Sequence, residues 1–241
     1  MPPLRRLPTS CLEGTWQMAI DGWLLEQRAP AFRLYHWERP TLSLGFHQRS
    51  LEPHWGELAA AGVIDLVRRP SGGRAVLHAG ELTYALVWPE AVANRQRAYA
   101  QACGWLLEAF ARMGLPLEPG RQAASSQRSS CFATSTPADL VHGCGAKRIG
   151  SAQLWRGGCL LQHGSILLDP PSDLWELVFR TPPPQLPPLP LDASALENLL
   201  TEIALACLPT AGSGSSLRPL DPAELATIGT RRGGYGVEIQ G

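Results

Sequence analysis

What most constrains the fold of this chain is that its strand-like runs arrive close together, separated by turns too short to hold a helix. Residues 31–37 and 41–46 place apolar side chains at Phe32, Leu34 and Tyr35 and at Leu42, Leu44 and Phe46, and Arg39-Pro40 between them reads as a turn. Residues 139–142 and 147–153 flank Gly143-Cys144-Gly145 as a second predicted hairpin, with 159–168 as the next strand. Short connections of this kind join antiparallel neighbours, because a parallel pair needs a long crossover. Strands are also expected at 65–69, 75–78 and 82–88. Helical periodicity covers 13–28, 52–61, 93–113, 171–180 and 192–207, with one more helix after Asp221. Hairpins with interspersed helices predict an α+β fold, a mixed, largely antiparallel sheet flanked by helices. The βαβ alternation and GxGxxG of a dinucleotide-binding domain are missing.

Residues 181–190 hold six prolines and read as a stiff connection. The expected organisation is a catalytic domain over 1–180, followed over 181–241 by a proline-rich linker and a short helical extension of the same domain. Eight tryptophans among 241 residues, with 44% hydrophobic content, predict a sizeable core. A net charge of +0 argues against nucleic acid as a partner. No apolar run nears the roughly 18 residues that cross a bilayer, so no membrane partner is expected. Residues 1–10 lack the apolar core of a signal peptide, and a cytoplasmic location is expected. The six cysteines are irregularly spaced without a CxxC pair, which argues against a structural metal site and a disulfide framework.

The 21 cationic residues comprise 20 arginines and a single lysine, Lys147. Arginine stays protonated in proteins, whereas a lysine amine is a compact point charge with an adjustable pKa. Lys147 stands between Gly143-Cys144-Gly145 and Gly150-Ser151-Ala152-Gln153, without the charged neighbours of an exposed run, and reads as functional.

Three other segments carry candidate chemistry. In Arg68-Arg69-Pro70-Ser71-Gly72-Gly73-Arg74, glycines let backbone N–H groups approach an anion and arginines grip phosphate or carboxylate. His78, Glu81 and Tyr84 follow closely enough to line the same pocket. Cys131, at the end of a polar serine-rich loop, is the best nucleophile candidate of the six cysteines, with Cys144 second. Cys103 and Cys159 lie in apolar surroundings. A thiolate needs a nearby cation, which Lys147 would supply. Gln162-His163-Gly164-Ser165 interrupts an apolar strand with polar residues that brace the core or face a ligand, and His163 reads as a structural histidine.

The segment from Arg68 to His78 resembles the signature loop of the biotin and lipoate protein ligase superfamily. Ala146-Lys147-Arg148-Ile149-Gly150-Ser151-Ala152-Gln153 is similar to its acyl-site lysine segment, and Met18-Ala19-Ile20-Asp21 to its opening helix. Ser129-Ser130-Cys131-Phe132, with Lys147 and Leu161-Gln162-His163-Gly164-Ser165-Ile166-Leu167-Leu168, resembles the cysteine-type octanoyl transferases of lipoate assembly. The resemblance implies a class II aminoacyl-tRNA synthetase/biotin ligase-like fold around an acyl tunnel. It implies that Cys131 takes an octanoyl group from acyl carrier protein as a thioester, with Lys147 stabilising thiolate and oxyanion. The acceptor would be a lysine of a lipoyl carrier, such as glycine cleavage H protein or a 2-oxoacid dehydrogenase lipoyl domain. Implied substrate-binding residues are Arg69, Ser71, Gly72, Gly73 and His78 in the first loop. In the second half they are Gly150, Ser151, Ala152, Gln153, His163 and Gly164.

The transferase route needs no cofactor. A lipoate–protein ligase working through a lipoyl-adenylate would need ATP and magnesium, and a non-catalytic carrier-binding relative would need neither. After Cys131 the chain reads Phe-Ala-Thr-Ser-Thr-Pro and lacks the acidic residue that the transferases carry there. Residues after 181 resemble no part of the family.

Overall fold

The computed structural model describes residues 2–120, 138–210, 212 and 214–237. A large sheet and a small one enclose the first helix, α1 (Gly14–Gln27). In chain order the strands are β1 (Leu4–Arg6), β2 (Ser10–Leu12), β3 (Ala31–Trp37), β4 (Thr41–Leu44), β5 (Asp65–Arg68) and β6 (Val76–His78). They continue as β7 (Glu81–Trp88), β8 (Leu117–Pro119), β9 (Leu140–His142), β10 (Lys147–Arg156), β11 (Cys159–Leu167) and β12 (Ser215–Leu217). The large sheet runs β12-β1-β3-β7-β11-β10-β9-β8, with β2 also on β3, and the small one β5-β4-β6. The pairs are mostly antiparallel, with parallel pairing where β1 meets β12 and where β3 meets β1 and β2 in the large sheet, and where β4 meets β5 in the small one.

Alternation along β3, β7 and β11 sends successive side chains to opposite faces of the large sheet. Phe32, Leu34, Tyr84, Leu86, Leu160 and Ile166 pack under α3 (Arg95–Arg112) and α5 (Ala193–Cys207). The other face receives Met18, Ile20, Trp23 and Leu24 of α1. That helix is apolar nearly all round, as a helix between two sheets must be. The third core joins the small sheet to α2 (Pro53–Ala60) and α4 (Ser172–Phe179) through Trp55, Trp175 and Phe179.

The expected hairpin of 31–37 with 41–46 does not form. β3 has β1 and β2 on one edge and β7 on the other, so no edge is left for β4. β4 instead becomes the centre of the small sheet, with Thr41 opposite both Asp65 and His78. Residues 38–40 are therefore a corner between sheets, and the strand stops at Leu44, leaving Phe46 exposed. The second hairpin forms as expected, with Lys147 opposite Val141. β10 runs on to Arg156 and turns into β11 through Gly157 and Gly158, both with positive φ (56° and 79°), the conformation a two-residue hairpin needs.

Residues 181–190 have no regular structure, yet they are tied to the sheet. Arg148 is fully buried and donates to the carbonyls of Leu167 (2.9 Å) and Pro187. Beyond them α5 buries Leu196, Leu200 and Ile203 against α3, and β12 extends the large sheet beside β1. Among the described residues, no helix is long and apolar enough to cross a membrane.

Candidate active site

The large sheet, the small sheet with its loop of residues 69–73, and α1 enclose a cavity of about 60 Å³ that follows one row of residues across four strands. Gly150 on β10 pairs with Ser165 on β11, Ser165 with Thr83 on β7, and Thr83 with Tyr35 on β3. All four line the cavity, and at the usual ~4.8 Å strand spacing the row from Gly150 to Tyr35 spans about 14 Å. Met18, Tyr35, Trp37 and Val76 make its walls apolar. Glycine is required at two edges. A Cβ on Gly164 would stand 2.8 Å from the Gly150 carbonyl oxygen and 2.6 Å from Tyr84, and one on Gly45 would stand 1.9 Å from the Gly73 carbonyl oxygen. The strands and the loop can approach this closely only because neither position has a side chain.

Behind one wall lies a buried polar network. Asp21, in the middle of α1, accepts from Arg33 Nε (3.0 Å), from the Tyr35 hydroxyl (3.1 Å) and at 2.8 Å from His163 Nδ1. Burial pushes the Asp21 carboxyl up, but Arg33, His163 and Tyr35 outweigh it and hold the group below its ordinary value. Arg33 also reaches the Gln17 side chain and carbonyl. The other imidazole nitrogen, His163 Nε2, is hydrogen-bonded to Ser71 Oγ. Both ring nitrogens are engaged, so His163 presents the cavity with a fixed ring. Ser71 itself is fully buried behind that ring and does not line the cavity.

The arginines of the signature loop serve the loop itself. Arg69 donates to the carbonyls of Gly72 (2.8 Å), Arg74 (2.6 Å) and Ser43 (2.8 Å), and Arg68 to those of Gly45 (3.1 Å) and Gln48 (2.6 Å). Gly73 takes φ 96° at the tip. Arg69 and Gly73 nevertheless face the cavity, while Gly72 and Gln153 line a wider basin beside it that also contains Arg69. Of the remaining predicted binding residues, His78, Ser151, Ala152, His163 and Gly164 line the cavity. Glu81 supports it from behind. Tyr84 does not line it, because strand alternation turns the ring to the α3 side, edge-on to Trp105 at 5.3 Å. Its hydroxyl still meets Ser151 Oγ at 2.8 Å.

Lys147 starts β10, three residues before Gly150, and is not a cavity wall. It is 3% exposed, and its Nζ lies 3.0 Å from Asp139 Oδ1, with Asp139 also buried. Cys131 lies outside the described residues, and Cys144 is exposed in its turn.

The model of the lipoyl protein ligase A/B catalytic domain matches residues 13–185. The chain belongs to this family. Similar proteins include octanoyltransferase LipM of Carboxydothermus hydrogenoformans, 40% identical over 166 residues. That match covers 64% of this chain and 61% of the relative, so this chain spans less than two thirds of that relative's length. Octanoyltransferase LipM of Kyrpidia tusciae is 34% identical over 76% of this chain and 72% of its own. Among solved structures, protein Ta0514 of T. acidophilum with bound lipoic acid superposes with a TM-score of 0.78 at 16% identity, covering 96% of this chain and 94% of that one. A lipoate-protein ligase A bound with ATP gives 0.75 at 16% identity, covering 97% and 95%. The α+β fold is thus the family's own.

Several residues that line or brace this cavity carry little local signal in the sequence. Asp21 was read only as part of the opening helix, although a lone carboxylate inside an apolar stripe signals a buried partner. Arg33 inside a buried strand is the complementary signal. Trp37, Ser43 and Thr83 had no local mark. Ser165 lines the cavity, is 3% exposed and, among the described residues, has no hydrogen-bond partner for its Oγ, unlike Ser43, Ser151 and Thr83. It was visible only as one polar residue of Gln162-His163-Gly164-Ser165.

Proposed function

We propose that this chain is an octanoyltransferase of lipoate assembly, moving an octanoyl group from acyl carrier protein through Cys131 to a lysine of a lipoyl-carrier domain. The observation that carries the reading is an apolar slot whose rim, at Gly150, lies on the strand that begins with the chain's only lysine. The LipM relatives support the same chemistry. Burying an alkyl chain in such a slot contributes about 0.8 kcal/mol per methylene, enough to hold the substrate while its carbonyl end reacts.

In the first half-reaction the Cys131 thiolate attacks the thioester carbonyl, and the carrier's thiolate is expelled and takes up the proton that the Cys131 thiol had released to solvent. In the second, the neutral amine of the acceptor lysine attacks the acyl-enzyme and expels the Cys131 thiolate, and the proton that the amine sheds passes to that thiolate or to solvent. Lys147 supplies positive charge for thiolate and oxyanion, and its buried partner Asp139 sets where the ammonium can lie. Glycine cleavage H protein or a 2-oxoacid dehydrogenase lipoyl domain is the acceptor in this reading, in the cytoplasm. No nucleotide or bound cofactor enters the route.

Intact mass of the protein after incubation with octanoyl-acyl carrier protein tests it. One octanoyl group on Cys131, formed without ATP, is expected. Cys131→Ala is expected to abolish both the adduct and transfer, and Lys147→Arg to be inactive because a forked guanidinium does not replace a compact ammonium. Acyl transfer that requires ATP, or that survives Cys131→Ala, would replace this reading with the adenylate-forming ligase.

A further inference from the structure

Two hollows meet back to back at Trp37 and His78. Both rings wall the cavity, and both also wall an open depression on the far side, framed by His36, Gly80, Leu168 and Asp169. The rings lie almost parallel, 16° apart with centroids at 3.8 Å. Their polar atoms are all committed. Trp37 Nε1 donates to Thr83 Oγ1 at 2.9 Å, and that hydroxyl donates to the Glu81 carboxylate at 2.8 Å. On the other arm Arg69 Nη1 donates to Ser43 Oγ (3.2 Å), Ser43 to His78 Nε2 (2.8 Å), and His78 Nδ1 to Glu81 (3.2 Å). Donors run one way along each arm, and both arms end on one carboxylate. The pattern assigns His78 the neutral Nδ1–H tautomer. Burial, which outweighs the upward pull of Glu81, lowers the His78 pKa and favours that state.

We propose that this Trp37–His78 partition is the stop that sets acyl-chain length. The octanoyl tail ends against it, and removing the indole joins the cavity to the depression beyond. The inference rests on the acyl-transfer reading above and adds to it the determinant of chain length. Other walls give way more easily: Met18 is unbranched and adapts its shape, and Val76 has no polar atom to anchor it. A stacked pair tied at both ends cannot swing aside without breaking buried hydrogen bonds. Each methylene that fits should improve binding about fourfold, until the chain reaches the rings and the gain stops.

The test compares wild type with Trp37→Ala and the milder Trp37→Leu, using acyl groups of six to fourteen carbons on one carrier. Wild type is expected to peak at eight carbons. The variants should raise the twelve-to-eight carbon transfer ratio at least tenfold. A folded variant that keeps the eight-carbon cut-off overturns the inference while leaving acyl transfer intact. Calorimetric binding of the corresponding free fatty acids gives a readout that needs no turnover. Wild type that binds acids with an eight-carbon cut-off, lost in the variants, but transfers no acyl group, would keep the partition and sink the transferase. Wild type that binds no chain of any length sinks both.

Discussion

Asp21 carries its negative charge in a setting with no solvent exposure, and three side chains converge on its two oxygens. Arg33 is 1% exposed and, among the described residues, Asp21 is the carboxylate it pairs with. A buried pair of this kind adds little net stability over an apolar substitute, but removing one partner strands the other charge. Asp21→Asn is therefore expected to lower unfolding stability by about 3–5 kcal/mol in denaturant titration, with His163 losing its orientation. Loss of the bond to Nδ1 should also weaken the proposed octanoyl transfer in whatever fraction still folds. Cavity-lining residues are legible in the sequence where a motif concentrates them locally, as with Arg69 and Gly73 or Gly150, Ser151 and Ala152. Asp21, Trp37 and Thr83 carry no such local mark, because their meaning depends on partners far along the chain.

Between elements, the polar joint of β9, β10 and the proline segment depends on protonation. Arg148 Nε donates to His142 Nε2 at 3.0 Å, which requires a neutral imidazole with its proton on Nδ1. Burial and the neighbouring Arg148 push the His142 pKa down to about 4. The folded state therefore binds fewer protons here than the unfolded chain, whose histidine titrates near 6.5. The associated stability is fully present above about 6.5 and is lost as pH falls toward 4. Thermal unfolding across that window is expected to show a falling Tm, and His142→Gln, whose amide oxygen can still accept from Arg148, should flatten the slope. Helices α1 to α5 and the β9–β10 hairpin were legible from periodicity and turn residues. The β3–β4 pairing was misread, because a tight turn reveals that the chain reverses and not which edge the next strand joins.

For the molecule as a whole, the segment after the prolines is structural. Leu196, Leu200 and Ile203 of α5 are essentially solvent-free against α3, and β12 lies beside β1. Each such side chain contributes about 1.5–3 kcal/mol on burial, so the three together rival the roughly 5–15 kcal/mol that holds a domain folded. A chain ended at residue 190 is expected to bind a hydrophobic dye and to lose its cooperative melt. A truncated protein that melts sharply near the full-length Tm would show instead that the first 190 residues fold alone.

Apolar periodicity and turn residues determined from the sequence alone the helices α1 to α5 and the longer strands, while the short edge strands β1, β2, β8 and β12 left no such mark. These signals act over a few residues, the range across which backbone propensity and side-chain alternation operate. Tertiary structure alone decided that β4 leaves the large sheet, that Asp21 faces His163 across 142 positions, and that Trp37 stacks on His78. Those outcomes follow from which edges and faces remain free once the rest of the chain has packed, and no local pattern encodes that competition.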